Sequence, residues 1–275
     1  MMEQFSKKSI EFKVAVTSAP STIMGVSAMM TGIPSIYQSR TFLNFKFDEN
    51  LYSLPQILSG KDYNVQSLLY HPESRLFLKD MLTNISEEYW IPEIKDKFWS
   101  IDSMNLMLKN VLENEQSEPM FLYVHYDCRE EPKTSDKVQE GIDMISEYYN
   151  LDESIVVLCS DHGYPDPSRE ISFMDRRKYG HDLVMTDDNV MIPLYISYPD
   201  CTPGSHSEMV SSTQIMPTIL ELADIKFDSS NILQKNLNKN SLTKLIDKGK
   251  NDVKTIRIDN RFIFQPSKVT AIRGK

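Results

Sequence analysis

Long apolar runs are missing from this chain. The longest, such as Met120 to Val124 and Ile192 to Ile196, fall far short of the roughly 20 residues that a membrane-spanning helix needs. The first residues also lack the charged-then-apolar pattern of a secretory leader, so the default expectation is a cytoplasmic location with no membrane segment. Positive charge is in deficit as well. A formal net charge of -9 argues against nucleic acid as the main partner, because phosphate-backbone binding needs a basic footprint. Small anionic substrates stay open, since a bound divalent cation reverses the potential inside one cleft. Cysteine is scarce: Cys128, Cys159 and Cys201 are odd in number and irregular in spacing, which gives neither a disulfide framework nor a zinc-thiolate site. No internal repeat and no Gly/Ser- or Pro-rich linker divides the chain, so residues 1–275 are expected to form a single domain.

What is present is an ordinary globular composition, 40% apolar and 25% charged over 275 residues, with elements that alternate as in a layered α/β domain. The pattern predicts a helix over Leu51–Leu58, a strand over Asn64–Tyr70, a helix over Ser103–Leu112 and a buried strand over Met120–Tyr126. Asp136 to Tyr149 reads as an amphipathic helix with Val138, Ile142, Ile145 and Tyr149 on one face. A strand over Ile155–Cys159 follows, then one over Asn189–Tyr198 broken at Pro193, and a helix over Thr213–Ala223. Asn231 to Lys254 is rich in Lys and Asn, with Ser241 to Ile246 its only periodic piece, and is expected to be a surface excursion.

Two segments could carry chemistry. Ser160-Asp161-His162-Gly163 follows the apolar run Ile155 to Cys159, at the strand end where open α/β sheets place their sites. Asp161 and His162 are both competent ligands for a divalent metal, and the alternative is an ordinary loop with a capping aspartate and a solvated histidine. Residues Ala19 to Gly32 read as a turn, a short helix and a glycine stop, with Ser21 or Thr22 at the N-cap and Ile23, Val26 and Met30 facing inward. A hydroxyl there is either a plain cap or a group poised at an anion-binding helix N-terminus. Farther on, Lys178-Tyr179-Gly180-His181-Asp182 offers a cation and a third candidate ligand, and His125 ends a strand where it could face the cleft. His71 and His206 stand in polar, turn-like contexts and read as surface residues.

These pieces stand in the order and spacing of the sulfatase family, within the alkaline-phosphatase-like superfamily. Ala19 to Pro34 resembles the family's nucleophile turn and helix, ending in Thr31-Gly32-Ile33-Pro34 as a Thr-Gly-x-x-Pro-like stop, and Ile155 to Gly163 resembles its Ser-Asp-His-Gly strand. Gly180-His181 with Ile192-Pro193-Leu194, the segment Val210 to Ile225, and Thr270-Ala271-Ile272-Arg273 resemble later family elements. The resemblance implies a mostly parallel layered sheet with helices on both faces. It places the nucleophile at Thr22, metal ligands at Asp161 and His162, and a ligand or substrate contact at His181. Lys178 would be an anion contact and His125 a substrate-facing residue.

Sulfatases proper carry a cysteine or serine that becomes formylglycine within Cys/Ser-x-Pro/Ala-x-Arg. This chain reads Thr22-Ile23-Met24-Gly25-Val26, and the competing register Ser18-Ala19-Pro20-Ser21-Thr22 also lacks the arginine, so formylglycine is disfavoured. Threonine is the nucleophile in superfamily members that act on phosphate esters. The implied function is therefore a metal-dependent hydrolase of sulfate or phosphate esters with a covalent Thr22 intermediate, acting on a small or glycan- or lipid-linked anionic ester. Ca, Mg, Mn and Zn are not distinguished. The alternatives are a phospho-headgroup transferase using the same intermediate, or a catalytically dead binding module. The family's domain begins with a strand ending in a metal-binding aspartate, and its His-x-Pro-Tyr-like element has Arg129 here. The expectation is thus a sulfatase-like domain truncated at the N-terminus and incomplete at both ends.

Overall fold

The computed structural model describes residues 3–34, 50–69, 78, 81–82, 101–115, 117–126, 133–165, 184–249, 255–260 and 269–274. A helical turn, α1 (Glu3–Ser6), leads into strand β1 (Ile10–Val16) and then helix α2 (Thr22–Thr31). Ser21 takes the N-cap position of α2, so Thr22 is its first helical residue. Gly32 ends the helix at φ 67°, a left-handed conformation that glycine adopts without a Cβ clash. Val26 and Met30 are buried, with Ile23 packed against the same cluster, as the spacing predicts. The burial goes further than a one-faced pattern, because every residue from Met24 to Thr31 is buried. A helix covered on all sides lies inside the domain, not on its surface.

Next come α3 (Leu54–Ser59), β2 (Asn64–Leu69), α4 (Ile101–Asn114), β3 (Met120–His125), α5 (Lys133–Tyr148) and β4 (Val156–Cys159). Helix α3 starts later than the apolar pattern suggests because Ser53 and Gln56 form a reciprocal capping box with proline in the first turn. After β4 follow a short turn of helix, α6 (Asp187–Val190), and strands β5 (Met191–Ile192), β6 (Leu194–Ser197) and β7 (Gly204–Ser211). Helices α7 (Ile215–Leu222) and α8 (Thr243–Lys248) and the pair β8 (Thr255–Asn260) and β9 (Val269–Gly274) complete the described elements.

The main sheet runs β4-β6-β1-β5, with β7 also paired to β1. Both β5 and β6 lie antiparallel to β1, at Ala15↔Ile192 and Ile10↔Ile196, so they are two halves of one strand interrupted at Pro193. Proline has no N–H to give the ladder, which accounts for the break. Strand β4 is antiparallel to β6 and β7 is parallel to β1. Strands β1, β4 and β7 therefore share one direction, and the β5–β6 strand alone in this sheet opposes them. The α/β reading with mostly co-directed strands holds, while the reversed strand between β4 and β1 makes the local ladders antiparallel. A second sheet pairs β2 and β3 in parallel from Asn64↔Met120 to Leu69↔His125, and β8 and β9 form an antiparallel pair.

The segment read as a surface excursion is instead partly built into the core. Leu242 and Leu245 of the α8 region are 0% and 1% exposed and join the cluster of Ile10, Phe12, Ile196 and Val210. The Gln234 amide donates to the carbonyls of Thr31, at 3.1 Å, and Tyr52, at 2.7 Å. A few apolar and amide groups hidden in a polar stretch suffice to dock it against the end of α2. His206, read as a surface residue, stacks on Phe12 with ring centroids 5.7 Å apart.

Tyr126, just past β3, ties three elements together. Its hydroxyl donates to Asn105 Oδ1 on α4 at 2.8 Å, and the Asn105 amide donates to the Lys137 carbonyl on α5 at 2.9 Å. Burial, and secondarily the Glu140 carboxylate, pushes the Tyr126 phenol well above its ordinary range. The neutral form is thus favoured by folding, and this contribution is complete below about pH 10 and lost as pH rises beyond it. Tyr126→Phe is expected to cost about 1–2 kcal/mol in chemical denaturation at pH 7. The variant should also lose less stability than the wild type between pH 9 and 11.

Candidate active site

The site forms where the end of β1 and the start of α2 meet the loop that leaves β4. The Thr17 amide donates to the Val190 carbonyl at 2.9 Å, and the Ser18 amide donates to Ser212 Oγ at 3.1 Å, so the turn before α2 is fixed on both sides. On the β4 side the Gly163 amide donates to the Asn189 carbonyl at 2.9 Å. A Cβ on Gly163 would run into the Asp188 carbonyl, so only glycine lets the loop pass this close to α6. The Ser160 hydroxyl donates to the His162 carbonyl and tightens the same loop.

Folding brings Thr22 Oγ1 to 3.1 Å from His162 Nε2 across 140 positions of sequence. His162 Nδ1 lies 2.6 Å from the Gly163 carbonyl. A carbonyl only accepts, so Nδ1 carries a proton, and Nε2 faces the Thr22 hydroxyl, whose single proton goes either to Nε2 or to the Asp161 carboxylate. Asp161 Oδ2 is 3.5 Å from the same Nε2, with the two side chains 13% and 11% exposed. That oxygen is buried without a hydrogen-bond partner among the described residues.

Burial works against the Asp161 carboxylate, yet its pKa is lowered. His162 and His125 draw it down, helped by hydrogen bonds from the His162 backbone and the Thr22 hydroxyl. His125, at the end of β3, is thereby brought into the electrostatic surroundings of the site. Its Nδ1 is hydrogen-bonded to the Tyr123 hydroxyl at 2.8 Å. The Tyr123 phenol is raised by burial first, then by Asp161 and Cys159. Burial and Asp161 also push the Cys159 thiol up to about 12, leaving it a packed thiol against Met29 Sδ at 3.6 Å.

Thr22, Asp161 and His162 thus lie together, with His125 in the electrostatic surroundings of Asp161. His181 and Lys178 lie outside the described residues, as does His71. Among the described residues there is no cluster of three or more His, Cys, Asp and Glu side chains able to hold a metal ion. Tyr123 was not legible beforehand, since it reads as one more apolar strand position. The available signal was that residues 123 and 125 share one face of a strand.

Residues 2–141 match the family model described as Sulfatase. The chain belongs to the sulfatase family. The match includes Thr22 and His125, while Asp161 and His162 reach the same place through the fold. This sulfatase-family chain is 28% identical over 93 residues to the choline-sulfatase of Rhizobium meliloti (strain 1021), an alignment covering 34% of this chain and 17% of that protein. Its fold is similar to BT4656, solved in complex with D-glucosamine-2-N,6-O-disulfate, with a TM-score of 0.71 and 13% identity over 99% of this chain and 81% of that one. It is also similar to a Vibrio parahaemolyticus protein in the alkaline phosphatase superfamily, with a TM-score of 0.64 and 14% identity over 95% of this chain and 66% of that one. Among the described residues no helix is long and apolar enough to cross a membrane.

Because Gly163 holds the loop against α6, Gly163→Ala is expected to destabilise the fold by about 1–3 kcal/mol, in the range of overpacking substitutions. Thermal unfolding monitored by circular dichroism checks this against wild type.

Proposed function

We propose that the protein is a divalent-metal-dependent hydrolase of sulfate or phosphate esters, with Thr22 as its covalent nucleophile and residues 1–275 acting as one catalytic domain. The observation that carries this reading is the 3.1 Å approach of Thr22 Oγ1 to His162 Nε2 beside a buried carboxylate held in its charged form. A hydroxyl with a nitrogen base at hydrogen-bond distance is the arrangement that nucleophilic catalysis requires.

The residues present fit a cation. A buried carboxylate oxygen with no hydrogen-bond partner among the described residues, Asp161 Oδ2, and the imidazole nitrogen His162 Nε2 stand 3.5 Å apart. Asp161 and His162 would hold the ion, with His181 proposed as a further ligand or substrate contact. When bound, a divalent ion supplies Lewis acidity, lowering the pKa of a nearby hydroxyl and neutralising charge on the ester oxygens. His162 Nε2 has one lone pair, which serves either the Thr22 hydroxyl or a cation at a given moment.

Thr22 starts α2, and that helix has no side-chain cap among the described residues. Its first-turn N–H groups and the helix dipole favour an anionic group at this end. Thr22 Oγ attacks the sulfur or phosphorus of the ester, its bond to the leaving oxygen breaks, and the alcohol departs with a proton. Water then releases sulfate or phosphate and restores the Thr22 hydroxyl. A threonine bears a secondary alcohol, whose oxidation yields a ketone, so formylglycine has no part in this scheme. Lys178 is proposed to contact the anionic group, and His125 to face the substrate.

Sulfate esters of small molecules or sugars are the first substrates to test, given family membership and the likeness to a choline-sulfatase and to a protein solved with a sulfated glucosamine. Thr22→Ala should lower hydrolysis of an aryl sulfate or aryl phosphate by Mn²⁺-loaded protein on the order of 10³-fold or more, while Thr22→Ser keeps measurable turnover. Unchanged turnover in Thr22→Ala removes Thr22 as nucleophile.

A further inference from the structure

Two residues outside the reacting set bear on one atom, the Asp161 carbonyl oxygen. Thr17 is 0% exposed, and its hydroxyl lies 2.5 Å from that oxygen and 3.0 Å from the Ala19 carbonyl. The shorter contact marks Asp161 as the main acceptor of its single proton. From the other side, a Cβ on Gly25 would stand 2.6 Å from the same oxygen and 3.2 Å from the carbonyl carbon. Gly25 lies inside α2 and its amide makes an ordinary helical bond to the Ser21 carbonyl at 2.7 Å. A buried helix interior otherwise prefers alanine to glycine, so close approach accounts for the missing side chain.

We infer that Thr17 and Gly25 are positioning residues that seat the Asp161 backbone against the nucleophile segment and so set the distance between Thr22 and the Asp161–His162 pair. One stands before Thr22 and the other one turn after it, so the segment that carries the hydroxyl also fixes the carbonyl of its partner loop. The Gly163 amide ties the same loop to the Asn189 carbonyl, and the Ser160 hydroxyl closes the loop on its own His162 carbonyl. The catalytic consequence rests on the proposed hydrolase reading, whereas the positioning itself does not. Displacement of a reacting group by a fraction of an ångström to 1 Å costs up to about 10²-fold in rate.

The test compares Thr17→Val, Thr17→Ser and Gly25→Ala with wild type in the full chain, each confirmed as folded by its thermal midpoint. One readout is the long-range proton–nitrogen correlation of the His162 ring in ¹⁵N-histidine-labelled, cation-free protein. The other is kcat and KM for an aryl sulfate with Mn²⁺. Thr17→Val and Gly25→Ala should move the His162 ring nitrogens from their wild-type positions and lower kcat by about 10- to 100-fold with KM little changed. Thr17→Ser, which keeps the hydroxyl, should restore the wild-type spectrum. Should Gly25→Ala fail to fold, the Thr17 pair decides the matter. His162 resonances identical to wild type in Thr17→Val overturn the inference. A wild type without turnover counts against the hydrolase reading alone, because the spectrum still reports the seating.

Discussion

A carboxylate taken out of water must be compensated, and Asp161 imposes that requirement on the structure around it. Desolvating an isolated ion costs several kcal/mol even after relaxation. Here two imidazoles, a backbone N–H and the Thr22 hydroxyl keep the charged form favoured. They come from three distant parts of the chain: the start of α2, the end of β3 and the β4 loop itself. One oxygen still lacks a partner among the described residues. A site that holds a charge and leaves part of it uncompensated is suited to a positive ligand.

The fold supplies this convergence by strand direction. β1 and β4 point the same way, with the reversed β5–β6 strand between them, so the segments after both strands emerge at one sheet edge. The turn after β1 starts α2, and the loop after β4 carries Asp161 and His162. Short-range constraints then fix the register: Gly163 on one side of the loop, Thr17 and Gly25 on the other. Burial of α2 from Met24 to Thr31 gives Thr22 a rigid base.

Much of this was legible in the sequence, for particular reasons. The run Ile155 to Cys159 ended in the Ser-Asp-His-Gly motif, and Gly32 closed a helix whose N-cap could be narrowed to Ser21 or Thr22. Element types from residue 51 to 223 were readable because apolar periodicity is strong there. Strand β7 was not, because its first half, Gly204 to Glu208, is polar and earns its place by parallel pairing with β1. The role of Leu242 and Leu245 was hidden by the Lys and Asn around them. Thr17, Gly25 and Tyr123 were beyond reach, since their meaning lies in contacts with residues far away in the chain.

The central claim is that Asp161 and His162 form a cation site next to a nucleophilic threonine. Calorimetric titration of Mn²⁺ into wild type and Asp161→Asn tests it most directly. The account predicts a binding event in wild type that weakens by about 10-fold or more when the carboxylate becomes a neutral amide, because affinity for divalent ions depends on ligand charge. Identical isotherms for the two proteins would contradict it.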